Sequence, residues 1–200
     1  MHTTFLASQT AVLVVDMQRY YEPKIAGMDA IAPRIRMLCD TLRARGALVV
    51  WLMNTLERDG VDLWPAYHAG FFDASSAREH RRGLASGSDG HRLSTGMHPD
   101  ARDLVLEKTR FSAFAPGSSE LADALVARQV ENVIVAGVAT NVCCESTARD
   151  AMMRDYRVAV VSDATAAVTP DDHVNGLATL ASCFAEVLPT AEVVERLVGR

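Results

Sequence analysis

Two adjacent thiols, Cys143 and Cys144, follow an apolar run, Val133 to Ala136, that Gly137 breaks. Such a run, with no room for a polar face, has the pattern of a strand buried on both sides. Thr140 and Asn141 favour helix caps, and Glu145 through Met153 is a good helix-forming run, so the cysteines are expected in a helix's first turn. A thiol there feels the positive end of the helix dipole, among backbone N–H groups without intrahelical partners. That setting lowers a cysteine's pKa and suits both a thiolate nucleophile and an oxyanion site. One of the two cysteines is therefore a candidate for covalent chemistry, against the plainer reading of both as small buried hydrophobes.

Three further polar residues follow expected strands. Asp16 ends Ala11 to Val15, Asn54 follows Ala47 to Met53, and Lys108 follows Asp103 to Glu107. In open α/β sheets ligands bind outside the carboxyl ends of the strands, so Asp16, Asn54, Lys108 and Cys143 are expected to gather at one edge. A carboxylate beside a thiol and an ammonium divides the labour coherently. The acid takes the thiol proton and later hands a proton to a leaving amine, while the lysine steadies the charges. No histidine stands at a strand end to form a Cys-His pair.

Strand and helix alternate along the chain. Helical spacing covers Ile31 to Arg45, with Cys39 in it and Gly46 as its stop; a second helix runs from a cap at Ser118 or Ser119 to Arg128. The helix after Cys143 is expected to end near Tyr156, followed by a strand over Val158 to Val161, a helix over Pro170 to Ser182, a strand over Ala185 to Leu188 and a closing helix. That alternation predicts an α/β fold: three α/β/α layers, Rossmann-like, around a six-stranded parallel sheet, in one domain over residues 1–200. With strand order 3-2-1-4-5-6, Lys108 would stand two strand spacings, about 9.6 Å, from the first strand, so backbone curling inward past the strand end is expected to deliver it. From Leu56 to about Asp100 periodicity fades, and the stretch reads as a short helix plus lid-like loops over the site. Its histidines, His68, His80, His91 and His98, fit no familiar ligand spacing and are expected to be solvated loop residues.

Of 200 residues, 49% are hydrophobic, enough for one large core, and the net charge of −5 lacks any long basic run, so nucleic acid and anionic membrane are not expected as partners. No apolar run approaches the length of a membrane span, and no basic segment followed by an apolar core opens the chain; a cytoplasmic protein is expected. Cys39, Cys143, Cys144 and Cys183 are too scattered for a disulfide framework and form no Cys-x-x-Cys pair, so free thiols are expected.

Three stretches carry a resemblance. Asp16 in Val-Val-Asp-Met-Gln, Lys108 in Glu-Lys-Thr-Arg-Phe-Ser-Ala-Phe, and Gly137-Val-Ala-Thr-Asn-Val-Cys143 resemble, in order, the signatures of the isochorismatase-like cysteine hydrolases. The resemblance implies an Asp16-Lys108-Cys143 triad that hydrolyses an amide or ureido C–N bond through a thioester. It also implies a cis bond between Val138 and Ala139, an oxyanion hole from the N–H groups of Ala139 and Cys143, and Cys143 as the nucleophile; Cys144, about 100° further round the helix, is expected to pack inward. Asn54, Phe111 and Gln18 are expected at the substrate. Nicotinamidases of this family carry an Asp-x-His metal pair where this chain has Asn54-Thr55-Leu56-Glu57, so no metal and no cofactor are expected. Isochorismatases that cleave a vinyl ether lack the cysteine. Local likeness is to ureidoacrylate, biuret and N-carbamoyl amide hydrolases. Simple carboxamide hydrolysis, vinyl-ether cleavage with Cys143 a spectator, and a catalytically silent binding or assembly member remain alternatives. A homodimer or homotetramer is expected, with subunits completing each other's lids over a small amide or ureido substrate.

Overall fold

The computed structural model describes residues 4–199. Its centre is a parallel sheet of six strands: β1 (Thr10–Val15), β2 (Leu48–Asn54), β3 (Leu104–Lys108), β4 (Asn132–Val138), β5 (Arg157–Ala166) and β6 (Glu186–Leu188). In space they run β3-β2-β1-β4-β5-β6, so the chain starts in the middle, winds to one edge, then returns to the centre and winds to the other. That reversal lies between β1 and β4, where a crevice opens at the carboxyl ends. Register carries Val15 opposite both Leu52 and Gly137, and Asn54 opposite Lys108.

Seven helices among the described residues cover the sheet: α1 (Met28–Ala44), α2 (Pro65–Phe71), α3 (Ala74–Gly83), α4 (Leu121–Val126), α5 (Glu145–Met152), α6 (Pro170–Cys183) and α7 (Thr190–Arg196). The period-2 pattern of β1 sorts its side chains between two cores. Val12 and Val14 join Ile35, Leu38 and Leu42 of α1; Ala11, Leu13 and Val15 join Leu121 and Leu125 of α4 with Ala148 and Ala151 of α5. Gly46, at φ +91°, lets the chain turn sharply after α1. Gly137, at φ +111°, admits no other residue, because a Cβ there would overlap the Val15 carbonyl oxygen and lie 2.7 Å from the Val15 nitrogen. No helix among the described residues is long and apolar enough to cross a membrane.

Several sequence expectations need correction. The strand after α5 is ten residues long, because its pairing with β4 shifts register between Val135 and Gly137 and resumes at Thr165. The helix expected to reach Arg128 ends at Val126. The stretch 56–100 is more regular than its pattern suggests: after a hairpin of Glu57–Arg58 with Val61–Asp62 come two helices, not one. Pro65 sits in the first turn of α2, and the Asp73 carboxylate caps α3 by accepting from the Ser75 and Ser76 N–H groups at 2.8 and 3.0 Å. Two of the histidines there are buried rather than solvated, since each finds a polar partner: His68 Nδ1 lies 2.8 Å from Asp62 Oδ1, and His91 Nε2 lies 2.8 Å from Thr55 Oγ1.

Candidate active site

β1 ends and the chain turns at Asp16, whose φ of +49° is uncommon for a residue with a side chain. Lys108 shares the face of Leu104 and Leu106, whose side chains pack in the same core as Cys143. It belongs to β3 itself, opposite Asn54, so its long side chain, not a curl of backbone, spans the gap across β2. Its Nζ stands 2.9 Å from Asp16 Oδ2 and donates to Cys143 Sγ at 3.4 Å and to the Arg110 carbonyl at 3.1 Å. Lys108 is 0% exposed, Asp16 1% and Cys143 5%, so the contacts are made away from solvent.

The turn carrying Cys143 departs from the expected α-helical start. The Val138–Ala139 peptide is cis, and Thr140–Cys144 form a π-helical turn that runs into α5. The Ala139 carbonyl accepts from both Val142 N–H and Cys144 N–H at 3.1 Å, passing over the Cys143 N–H that an α-helix would assign to it. Helix α6 braces this turn. A Cβ on Gly176 would come to 3.0 Å from Asn141 Cα, and Thr140 Oγ1 lies 2.8 Å from His173 Nδ1. Cys144 is fully buried in the core beneath.

Electrostatics here differ from the dipole-lowered thiol that a helix start would give. Burial pushes the Cys143 thiol well up and the Asp16 charge pushes it further, with Lys108 opposing. Burial also raises Asp16, against the Lys108 charge and a hydrogen bond from Cys143. Burial pulls Lys108 down, but the charges of Asp16 and Cys143 outweigh it and hold the ammonium above its ordinary value. The resting arrangement is thus a protonated thiol next to a carboxylate able to take its proton.

The remaining expected residues divide. Asn54 and Phe111 line a cavity of about 870 Å³ that reaches Asp16, Ala139 and Cys143. The Asn54 side chain donates from Nδ2 to the Tyr21 hydroxyl at 2.7 Å. Gln18, in contrast, has no exposed surface. Its Oε1 accepts from Asn54 N–H at 2.8 Å, and its Nε2 donates to the Asn54 and His91 carbonyls at 3.1 and 2.8 Å. Its amide is spent on backbone, so it positions Asn54 instead of facing the cavity. Sequence reasoning did not single out Trp64, Tyr67 and Phe72, which also line the cavity; the clustering of aromatic residues over 64–72 was the available signal.

An isochorismatase domain model matches residues 10–192. Ureidoacrylate amidohydrolase RutB of Rhizobium rhizogenes is 32% identical over 185 residues, spanning 84% of this chain and 74% of that protein. Among solved structures, a cysteine hydrolase from Pseudomonas syringae pv. phaseolicola superposes with a TM-score of 0.86 at 31% identity, covering 98% of this chain and 95% of the other. N-carbamoylsarcosine amidase from Thermoplasma acidophilum superposes with a TM-score of 0.72 at 27% identity, covering 91% and 96%. The matched span takes in every strand of the sheet and every residue of the charged cluster, and on that extent the chain belongs to the isochorismatase family.

Proposed function

We propose that this protein is a cysteine-dependent amidohydrolase that cleaves a C–N bond of a small amide or ureido compound through a thioester on Cys143. The observation that carries the reading is the position of Lys108 Nζ, in contact with both Asp16 Oδ2 and Cys143 Sγ, whose residues line the cavity. The names of the amidohydrolase and amidase relatives supply the bond class.

In this mechanism Asp16 removes the Cys143 proton as sulfur attacks the carbonyl or carbamoyl carbon. Burial, which raises the Asp16 carboxyl, makes it a better base than an ordinary carboxylate near neutral pH. The oxyanion that forms is held by the N–H groups of Ala139 and Cys143, the latter passed over by the π-turn carbonyl. As the C–N bond breaks, Asp16 returns the proton to the leaving nitrogen, releasing ammonia or an amine and leaving an acyl or carbamoyl thioester. Asp16 then takes a proton from water as the water oxygen attacks the thioester, and as the C–S bond breaks Asp16 passes that proton to the sulfur, recovering the thiol and releasing a carboxylic or carbamic acid. Lys108 remains an ammonium throughout and offsets negative charge on oxygen and sulfur in turn. Asn54 orients the substrate's amide.

A second reading draws on the same burial of Asp16, since a carboxyl held protonated is what acid-only vinyl-ether cleavage requires. Turnover of a panel of ureas, amides and a vinyl ether by the unaltered protein, Cys143→Ser and Asp16→Asn, with mass spectrometry for an adduct on Cys143, separates the two. The amidohydrolase reading expects an acyl or carbamoyl adduct and near-complete loss of turnover in Cys143→Ser, because a serine hydroxyl is a far poorer nucleophile at neutral pH. Full activity of Cys143→Ser alongside a dead Asp16→Asn would overturn it.

A further inference from the structure

The cavity above Cys143 is walled by rings from separate segments. Trp64, just before α2, meets Phe111, just after β3, edge to face with centroids 4.9 Å apart, and Tyr67 of α2 stands 4.5 and 5.2 Å from the two. Deeper in the lid, Phe72 lies 4.9 Å from His80, and both reach the cavity.

Charge is scarce on this wall. Asp16 is committed to Lys108. His80 is neutral at pH 7, since burial lowers it to about 4. Lys24, the one lysine or arginine lining the cavity among the described residues, has its ammonium 4.4 Å over the Tyr20 ring and 3.8 Å from Glu79. Arg110, next to Phe111, turns its guanidinium onto Trp64 at 4.9 Å and donates to the Leu63 and Thr109 carbonyls. The wall thus offers no guanidinium for the bidentate grip that carboxylates favour. A carboxylate held against these rings would lose its hydration, and the cation lining the cavity, Lys24, already stands over Tyr20 and near Glu79.

We propose that the substrate joins its amide or carbamoyl end, placed over Cys143, to an uncharged aromatic or bulky apolar group held against the wall formed by Trp64, Tyr67 and Phe111. This rests on the amidohydrolase reading and narrows its substrate class to arylalkyl ureas or amides, as opposed to ureides that end in a carboxylate, as ureidoacrylate does. A cavity of about 870 Å³ lies in the upper part of the roughly 300–1,000 Å³ common for sites that enclose a drug-sized ligand. Edge-to-face and offset contacts with the three rings would orient an aryl group there.

The test measures binding, not turnover, on Cys143→Ala by titration calorimetry, with benzylurea, N-carbamoylglycine and methylurea as probes. Benzylurea is expected to bind at least about tenfold more tightly than either other probe, the discrimination an apolar pocket draws from a few carbons. Trp64→Leu, or Phe111→Leu should the first not fold, is expected to remove most of that preference. Equal or tighter binding of N-carbamoylglycine, or no benzylurea binding at millimolar concentration, overturns the proposal. The unaltered enzyme is run in parallel. Benzylurea binding with no Cys143 adduct from any urea or amide would sink the amidohydrolase reading and leave the apolar site standing. A Cys143 adduct from N-carbamoylglycine together with its tighter binding would do the reverse.

Discussion

Replacing the buried ion pair one partner at a time, and then both together, tests the charged cluster most directly. Asp16 Oδ2 and Lys108 Nζ are 2.9 Å apart and essentially without solvent contact. At an effective dielectric near 20 their attraction is about 6 kcal/mol, set against several kcal/mol of desolvation for each ion. Lys108→Met leaves a buried carboxylate without its counter-charge, and Asp16→Asn leaves a buried ammonium. Each single change is expected to cost about 3–5 kcal/mol. For a chain of this size that lowers Tm by roughly 6–20 °C, at about 2–4 °C per kcal/mol. Asparagine tolerates the left-handed backbone at position 16, where φ is +49°, so the Asp16→Asn loss reports the charge and not the backbone. The double variant removes both charges with little change of volume and is expected to be more stable than either single one, with a coupling of about 3 kcal/mol or more. Turnover should fall by about 10²–10⁴ in all three variants, because each removes the base or holds it protonated. Urea unfolding followed by tryptophan fluorescence, with activity on the same samples, makes the measurement. If the two stability losses simply add in the double variant, the carboxylate and ammonium do not act as a pair and the electrostatic account of the site is wrong.

Three other outcomes follow from particular contacts. Gly137→Ala should yield little soluble protein, or a loss above about 4 kcal/mol, because the new methyl meets the β1 backbone at a φ of +111°; a Tm within a few degrees of the parent would contradict that packing. His80, lowered to about 4 chiefly by burial, is neutral in the folded state, while the unfolded chain takes up its proton near pH 6.5. Its contribution is therefore present above pH 6.5 and lost as pH falls toward 4, so the pH-dependence of Tm over that window should be shallower in His80→Phe, and an unchanged slope would refute it. A dimer or tetramer is expected by sedimentation, though not through the apolar face of α6, since Gly176 and Leu180 are buried within the chain. Exposed Phe71, Val168 and Val174 are better placed to meet a second copy, and a mass of 21.7 kDa at micromolar concentration would defeat the expectation.

Much of this protein follows from local sequence. The apolar runs ending at Val15, Met53 and Ala136 have the pattern of buried strands, and parallel strands joined through helices bring their carboxyl ends to one edge. Asp16, Lys108 and Cys143 are therefore legible as neighbours before any coordinates, since Asp16 directly follows a strand, Lys108 closes one, and Cys143 stands in the turn after a third. What local pattern could not carry was the reach and state of those side chains. Lys108 crosses β2 because register sets it opposite Asn54, and register depends on how strands pair, not on either strand alone. The Cys143 turn is π-helical where α6, from much later in the chain, packs closely against it at Gly176, and the thiol's pKa goes up chiefly because distant residues bury it. Gln18 turns its amide to the backbone of Asn54 for the same reason. The aromatic wall shows the division most clearly: the rings of 64–72 are plain in the sequence, but Phe111 joins them only after the lid folds back over the sheet. Short-range periodicity reports which face of an element is buried, whereas contacts between segments tens of residues apart are settled by packing, which no window of sequence contains.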